Sequence, residues 1–403
     1  MTTAEQAQSV IRTGNQAAAE GARLARVGVV CFFPIGPSDE VGEHLVEMVN
    51  RGQLDARVID LENERSVINA QITATQSGVR STFSTNSEGL VFAYQPLIWS
   101  PYARVPIVVG VAHRSLEPPT NIQTDDHDTI IFRDSHWIQF YCENAQEVLD
   151  TMIQAYWIAE RHDIQLPVFV TWPGWEVSHA AMPIEVPSQE QVDEFLPPYE
   201  LLPGRDLLTL DMEEFYSNAS RSGGEGASYI EQRYAIDHTL NVVAKQAITE
   251  AHERYVEVVG RGYGGLIESY RTEDAEVILV GLANMATRGR QAADAMREQG
   301  KRVGVIKVRT LRPFPSEAIA EAVGDARVVM AFDRNPVHTL FHELRSALYS
   351  HPGRPAVLGR VVALAGRNFS SRDAEELVDE AFAAIEDPAA VDELSWRMET
   401  VAD

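Results

Sequence analysis

Short apolar runs alternate with longer amphipathic stretches through most of this chain. "VGVVCFF" (27–33) is uniformly apolar and predicts a buried strand, and "EVGEHLVEMVNRGQ" behind it has the spacing of an amphipathic helix. The same alternation continues. "ARVIDLE" predicts a strand and "NERSVINAQITATQSG" a helix stopped by Gly78. "RSTFSTNSEGL" predicts a strand and then a turn, and "RVPIVVGVA" a buried strand. "AQEVLDTMIQAYWIAERHDI" predicts a helix and "LPVFVTW" another strand. Ahead of them "TGNQAAAEGARLARV" predicts an Ala-rich helix suited to close packing, with Asn15 as its cap. Such alternation predicts an α/β fold, a doubly wound parallel sheet covered by helices on both faces.

The pattern breaks between residues 181 and 230, where Pro-, Glu- and Gly/Ser-rich text predicts irregular surface structure. A long helix from about Ile230 to Gly260 then leads to "GRGYGG", read as an interdomain turn. Beyond it, "AEVILVGLANMATRGRQAADAMREQGKRVGVIKVRTLRPFP" opens a second, smaller α/β unit. The predicted organisation is a loose N-terminus (1–13), a first domain (14–262), a second domain (272–388) and a tail (389–403).

Composition narrows the function. The chain has 403 residues, 45% hydrophobic and 23% charged, which is ordinary for a folded protein. A formal net charge of −25 argues against a nucleic-acid or anionic-membrane partner. Two cysteines, Cys31 and Cys142, are too few for a disulfide framework, a four-cysteine zinc site or an iron–sulfur cluster. Without a signal-peptide pattern or a long apolar span, the expected location is the cytoplasm.

Familiar single motifs are missing. There is no Walker loop, no G-x-G-x-x-G after a strand, no G-x-S-x-G and no H-E-x-x-H. The scattered histidines (His113, His127, His136, His179) lack metal-ligand spacing and read one by one as structural, so no metal ligands are assigned. What remains is a set of segments: "FPIGPSDE" (33–40), "ENERS" around Glu64, "STNSEG" (84–89), "AHRSLEPPTN" (112–121) and "DDHDTIIFRDSHW" (125–137). Four follow strand-like runs, and Glu64 lies at a strand–helix junction. In a doubly wound sheet such positions gather at the carboxyl edge, where ligands bind. Arg114 with Glu117 reads equally as a surface ion pair or as a holder of an anionic substrate.

Together with "GNQAAAEGARLARV", "PSQEQVDEFLP" and "GKRVGVIKVRTLRPFP", these segments resemble, in one order over nearly the whole chain, the α subunit of the thiamine-diphosphate-dependent 2-oxoacid:ferredoxin oxidoreductases. The resemblance implies a doubly wound pyrimidine-binding domain followed by a domain of transketolase C-terminal type. The implied activity is CoA-dependent oxidative decarboxylation of a 2-oxoacid to an acyl-CoA. Glu64 matches the glutamate that bonds the aminopyrimidine ring and favours its imino tautomer, the form that activates the thiazolium carbon. The plain alternative is a helix-start glutamate favoured by the helix dipole. Arg114 matches the arginine that takes the 2-oxoacid carboxylate in a two-bond fork. Ile35, Gly36 and Asp125 fall at the implied substrate end, and Pro34, Ser87, Glu88 and Gly89 beside the cofactor.

Two family parts are absent, the Gly-Asp-Gly…Asn motif for magnesium and diphosphate and the cysteine clusters. The resemblance therefore implies that Mg2+ and [4Fe-4S] clusters lie on partner subunits. Those partners are a thiamine-diphosphate/iron–sulfur β subunit, γ and ferredoxin-like δ subunits and, in one variant, a flavin subunit, with ferredoxin or NAD as acceptor. The chain also departs from the family's Tyr-Pro-Ile-Thr-Pro-Ser turn, with Gly36 replacing the threonine, and its Asp-His-Ser-Asp becomes Asp125-Asp126-His127-Asp128. Both changes fall at the substrate end. Phenylglyoxylate, giving benzoyl-CoA, is the first candidate substrate and pyruvate the second. A transketolase or 2-oxoacid dehydrogenase relative and a non-catalytic scaffold subunit are the competing readings.

Overall fold

The structure, a computed structural model, describes residues 8–201 and 226–397. Its first half begins with β1 (Gln8–Arg12) and α1 (Gly14–Leu24). Strand–helix pairs follow: β2 (Val29–Phe32) with α2 (Asp39–Asn50), and β3 (Arg57–Asp60) with α3 (Glu64–Gln76). Next come β4 (Ser81–Thr85), α4 (Ser87–Phe92), α5 (Tyr94–Tyr102), β5 (Val108–His113), α6 (His127–Ile130), β6 (Ile138–Tyr141), α7 (Ala145–Glu160) and β7 (Val168–Pro173). Strands β2 to β7 run parallel in one sheet, and β4, β5, β6 and β7 are buried along their whole length. Continuous apolar runs are what a sheet covered on both faces requires.

Several expectations need correction. Residues 8–12, expected to be loose, form β1, which pairs antiparallel with β8 (Met182–Val186) inside the stretch expected to be irregular. That stretch also contains α8 (Gln189–Phe195), started by a Ser188–Gln191 capping box. Residues 1–7 and 202–225 of these two calls lie outside the described residues. The long helix runs as α9 (Gly226–His238), a π turn (Thr239–Val243) and α10 (Ala244–Val259), ending on left-handed Gly260. Thr13, not Asn15, caps α1, in a capping box with Gln16. Helix α1 packs on α7 so closely that a Cβ on Gly21 would lie 2.8 Å from the Leu149 carbonyl oxygen.

The second half contains β9 (Ile267–Tyr270), β10 (Val277–Leu282), α11 (Met285–Glu298), β11 (Val303–Val308), β12 (Thr310–Arg312) and α12 (Ser316–Val323). It continues with β13 (Val328–Asp333), α13 (Thr339–Leu348), β14 (Ala356–Val361), α14 (Ser371–Glu386) and β15 (Leu394–Trp396). Its sheet has the order β15-β14-β13-β10-β11-β9, with only β9 antiparallel. The expected tail after 388 thus supplies an edge strand, and its residues 398–403 lie outside the described residues. Strand β12 leaves this unit and pairs with β6, extending the first sheet to seven strands. Buried charges reinforce that junction. Lys307 Nζ lies 2.6 Å from Glu147 and 3.1 Å from Glu143, and Arg309 Nε lies 3.2 Å from Glu147.

Among the described residues, no helix is long and apolar enough to cross a membrane.

Candidate active site

Because β2, β3, β4, β5 and β7 are parallel, the segments following them share one edge. The turn after β2 is held from two sides. Asn15 Nδ2, on α1, donates to the Pro37 carbonyl at 2.8 Å, and Asn86 Nδ2, after β4, donates to the Ile35 carbonyl at 3.1 Å. Pro34 is exposed, while Ile35 and Gly36 are half-buried. The φ of Gly36 is outside the left-handed region, so its backbone does not demand glycine. A Cβ there would meet nothing closer than an Asp39 carboxylate oxygen at 3.8 Å.

Glu64 is the first residue of α3, capped by Asn63, whose side chain accepts from the Ser66 N–H. The carboxylate is not an exposed helix-start group. Glu64 is only 6% exposed and points across to α4. Here the chain forms a helix at Ser87 rather than the predicted turn. A Cβ on Gly89 would stand 2.8 Å from Glu64 Oε1 and would also collide with Thr85 Oγ1. Thr85 Oγ1, Ser84 Oγ and Asn86 Oδ1 are buried and lack a partner among the described residues. A shielded carboxylate packed against a glycine, with unpaired buried hydroxyls beside it, supplies hydrogen-bonding groups that suit a heteroaromatic ring bearing an amino group.

Arg114, just past β5, is 14% exposed at its side chain. Its Nη1 donates to the Gly36 carbonyl at 2.9 Å and its Nη2 to Glu117 at 3.2 Å, while Nε is buried without a partner. The Glu117 ion pair exists, but it belongs to a larger assembly. Glu88 accepts the Glu117 N–H at 2.8 Å, which ties the loop after β5 to α4.

Behind this loop lies a buried acidic group. Burial pushes the Asp125 carboxyl up to about 7, with Asp126 and Asp128 adding to it against the His127 N–H. Burial raises Asp126 as well. Burial opposes the His113 cation, but Asp128, joined by Asp126 and Asp125, outweighs that and raises its pKa. A cavity of about 660 Å³ opens beside Asp125, between Leu116, Glu117 and Pro118 on one wall and Val362, Leu364 and Trp396 on the other. Among the described residues, no group of three or more His, Cys, Asp or Glu side chains is placed to hold a metal ion.

The edge thus brings together Ile35, Gly36, Ser87, Glu88, Arg114 and Asp125, with Glu64 facing Gly89. Asn15, read only as a helix cap, and Asn86 and Asp128, read only within their segments, were given no role at the site, because their partners are main-chain groups 14 to 51 residues away.

Comparison with known proteins identifies the family. Residues 20–249 match the family described as pyruvate flavodoxin/ferredoxin oxidoreductase, thiamine diP-binding, and residues 275–374 match pyruvate:ferredoxin oxidoreductase core domain II. The chain is 36% identical to the pyruvate synthase subunit PorA of Methanothermobacter thermautotrophicus, over 91% of this chain and 93% of that one. It is 33% identical to the ketoisovalerate oxidoreductase subunit VorA of Pyrococcus horikoshii, over 95% and 96%. Among solved structures, it superposes on 2-oxoglutarate:ferredoxin oxidoreductase from Magnetococcus marinus with a TM-score of 0.71 at 16% identity, covering 93% of this chain and 65% of that longer one. A split-gene transketolase gives a TM-score of 0.54 at 12% identity, over 92% and 98%. These two structural likenesses speak to fold alone.

Proposed function

The chain belongs to the 2-oxoacid:ferredoxin oxidoreductase family as an α subunit, and from that premise we propose that Glu64 and Arg114 form the cofactor and substrate ends of one active site acting on an aryl 2-oxoacid. The observation that carries this is the joining of Arg114 to the Pro34–Pro37 turn through the Gly36 carbonyl, on the same sheet edge where Glu64 faces Gly89.

When bound, thiamine diphosphate supplies the carbon nucleophile that attacks the substrate's keto group. Glu64, shielded beside Gly89, holds or moves the proton at the aminopyrimidine ring. Arg114 takes the substrate carboxylate, turning its guanidinium from Glu117 to the ligand, and orients the keto carbon. Asp125, with its carboxyl held near neutrality, donates or accepts at the substrate side. Gly36 leaves the turn beside Arg114 without a side chain, which favours a flat, bulky acid such as phenylglyoxylate over pyruvate. Carbon dioxide leaves, coenzyme A takes the acyl group as its thioester, and the electrons pass to ferredoxin or NAD.

The chain lacks the Gly-Asp-Gly…Asn motif and has only two cysteines. The reading therefore assigns Mg2+, the diphosphate grip and the [4Fe-4S] clusters to the β, γ and δ partners. The test is dye reduction by the purified complex with a panel of 2-oxoacids and coenzyme A, beside the single chain with thiamine diphosphate and Mg2+. CoA-dependent turnover confined to the complex is expected; turnover by the single chain would refute the division of labour.

A further inference from the structure

Beneath Arg114 lies a carboxylate with no part in the reading above. Asp128, on α6, is fully buried. Its Oδ2 accepts two main-chain N–H groups, those of Ser87 and Arg114, each at 3.1 Å. Its Oδ1 lies 2.6 Å from His113 Nδ1. A single side chain thereby ties the first residue of α4 to the first residue after β5. It does so with charge-assisted hydrogen bonds, which are stronger than neutral ones.

What it ties is under strain. Ser87 has a φ of 40°, a left-handed conformation that a residue with a Cβ keeps only when its surroundings enforce it. Asp128 supplies one restraint and the Ser87 Oγ bond to the Ser115 carbonyl, at 2.5 Å, supplies another. Two residues beyond Ser87 is Gly89, which faces Glu64. The other partner of Asp128 is the backbone of the arginine that grips the Gly36 carbonyl. The far side of the group is also held. The His113 ring stacks on Tyr141 with centroids 5.3 Å apart, its Nε2 is 4.0 Å from Asp126 Oδ1, and the Asp126 N–H donates to the Arg334 carbonyl at 3.0 Å. The charged and titratable groups around the pair are Asp125, Asp126, His127 and Tyr141, with Arg334 and Asp333 next to Asp126.

We propose that Asp128 is a positioning residue for both ends of the active site: it sets the Arg114 backbone and the Ser87–Gly89 segment by its two N–H bonds, while His113 fixes its second oxygen. This rests on the roles proposed for Arg114 and Glu64. It touches neither substrate nor cofactor and acts through the residues that do.

Asp128→Asn keeps the volume but removes the charge and puts an NH2 in place of one oxygen: either the two N–H bonds fall on a neutral oxygen while His113 must accept, or the NH2 faces the Ser87 and Arg114 N–H groups and both bonds are lost. Two measurements follow. The first, amide hydrogen exchange of the full-length chain, needs no substrate. Exchange should accelerate about tenfold or more in segments 86–90 and 113–116 while the β5 and β7 cores stay protected. Unchanged protection, or an even loss across the whole chain, overturns the proposal. In the assembled complex, the 2-oxoacid KM should rise roughly 10- to 100-fold, the scale of a lost hydrogen bond to a charged group. Combined with Arg114→Lys, the two effects should be less than additive. Additive effects, or an unchanged KM, also overturn it. If the asparagine variant fails to assemble, Asp128→Glu, which keeps the charge but displaces both bonds, is read by the same criteria. A wild-type complex inactive on every 2-oxoacid would strike at the functional reading, and the exchange experiment would still decide the role of Asp128.

Discussion

Glu64 and Gly89 face each other across the starts of α3 and α4, so closely that a methyl on residue 89 would stand 2.8 Å from Glu64 Oε1. Gly89 has no positive φ, so alanine is acceptable to the backbone there. Gly89→Ala should therefore displace the Glu64 carboxylate and the Thr85 side chain, at some cost in stability, rather than distort the backbone. Turnover of the complex is expected to fall at least about tenfold, with weaker thiamine-diphosphate binding by titration. Wild-type values for both would show that this face is not the cofactor's.

Glu64→Gln removes the ionisable proton while keeping the shape. Assembly should be unaffected and turnover roughly 100-fold lower, the usual scale for lost acid–base help. Exchange of the cofactor's thiazolium proton, followed by NMR after quenching, should slow in parallel. Near-normal exchange would exclude Glu64 as the activating carboxylate.

Arg114→Lys replaces a fork by a point charge. The KM for the 2-oxoacid should rise and turnover should fall, while the KM for coenzyme A stays the same. A variant whose KM is unchanged for every acid would place Arg114 outside the site.

Asp125 makes a pH-dependent contribution to stability. Its carboxyl is raised from 3.8 to about 7, so the folded chain binds this proton more tightly than the unfolded chain does. The stabilisation is complete below about pH 3.8 and is lost as pH rises through about 7. Asp333, raised by burial to about 7, has the same sign. Asp125→Asn should flatten part of the stability loss between pH 4 and 8 in denaturant unfolding of the full-length chain. Identical slopes for variant and wild type would mean that Asp125 is already ionised throughout.

Strands with continuous apolar faces, such as β2, β5 and β7, were legible in the sequence because burial on both faces leaves an unbroken run. Their parallel order then implied which loops would share an edge. Contacts written in polar residues were not legible. Strand β1 carries Gln8, Ser9 and Arg12, and only its pairing with β8 marks it as a strand. Strand β12 is three residues long and joins a sheet built from residues far away in the chain. Lys307 and Arg309 look like surface charges in "VGVIKVRT", yet Glu147, about 160 residues earlier, meets both in the interior. Asp128 could be read only as one acid in an acidic run, because the groups it serves are main-chain N–H groups. Gly36 was legible as a departure from the family turn, and the structure shows that its backbone conformation does not require glycine.

The substrate reading rests on the absent side chain at Gly36, and a competition assay addresses it most directly. Phenylglyoxylate and pyruvate are offered together, with coenzyme A and a viologen dye, to complexes carrying wild-type chain or Gly36→Thr, and benzoyl-CoA and acetyl-CoA are quantified. The account expects wild type to make mainly benzoyl-CoA and the threonine variant to shift toward acetyl-CoA. A wild type that prefers pyruvate, with a threonine variant that does not move, would contradict it.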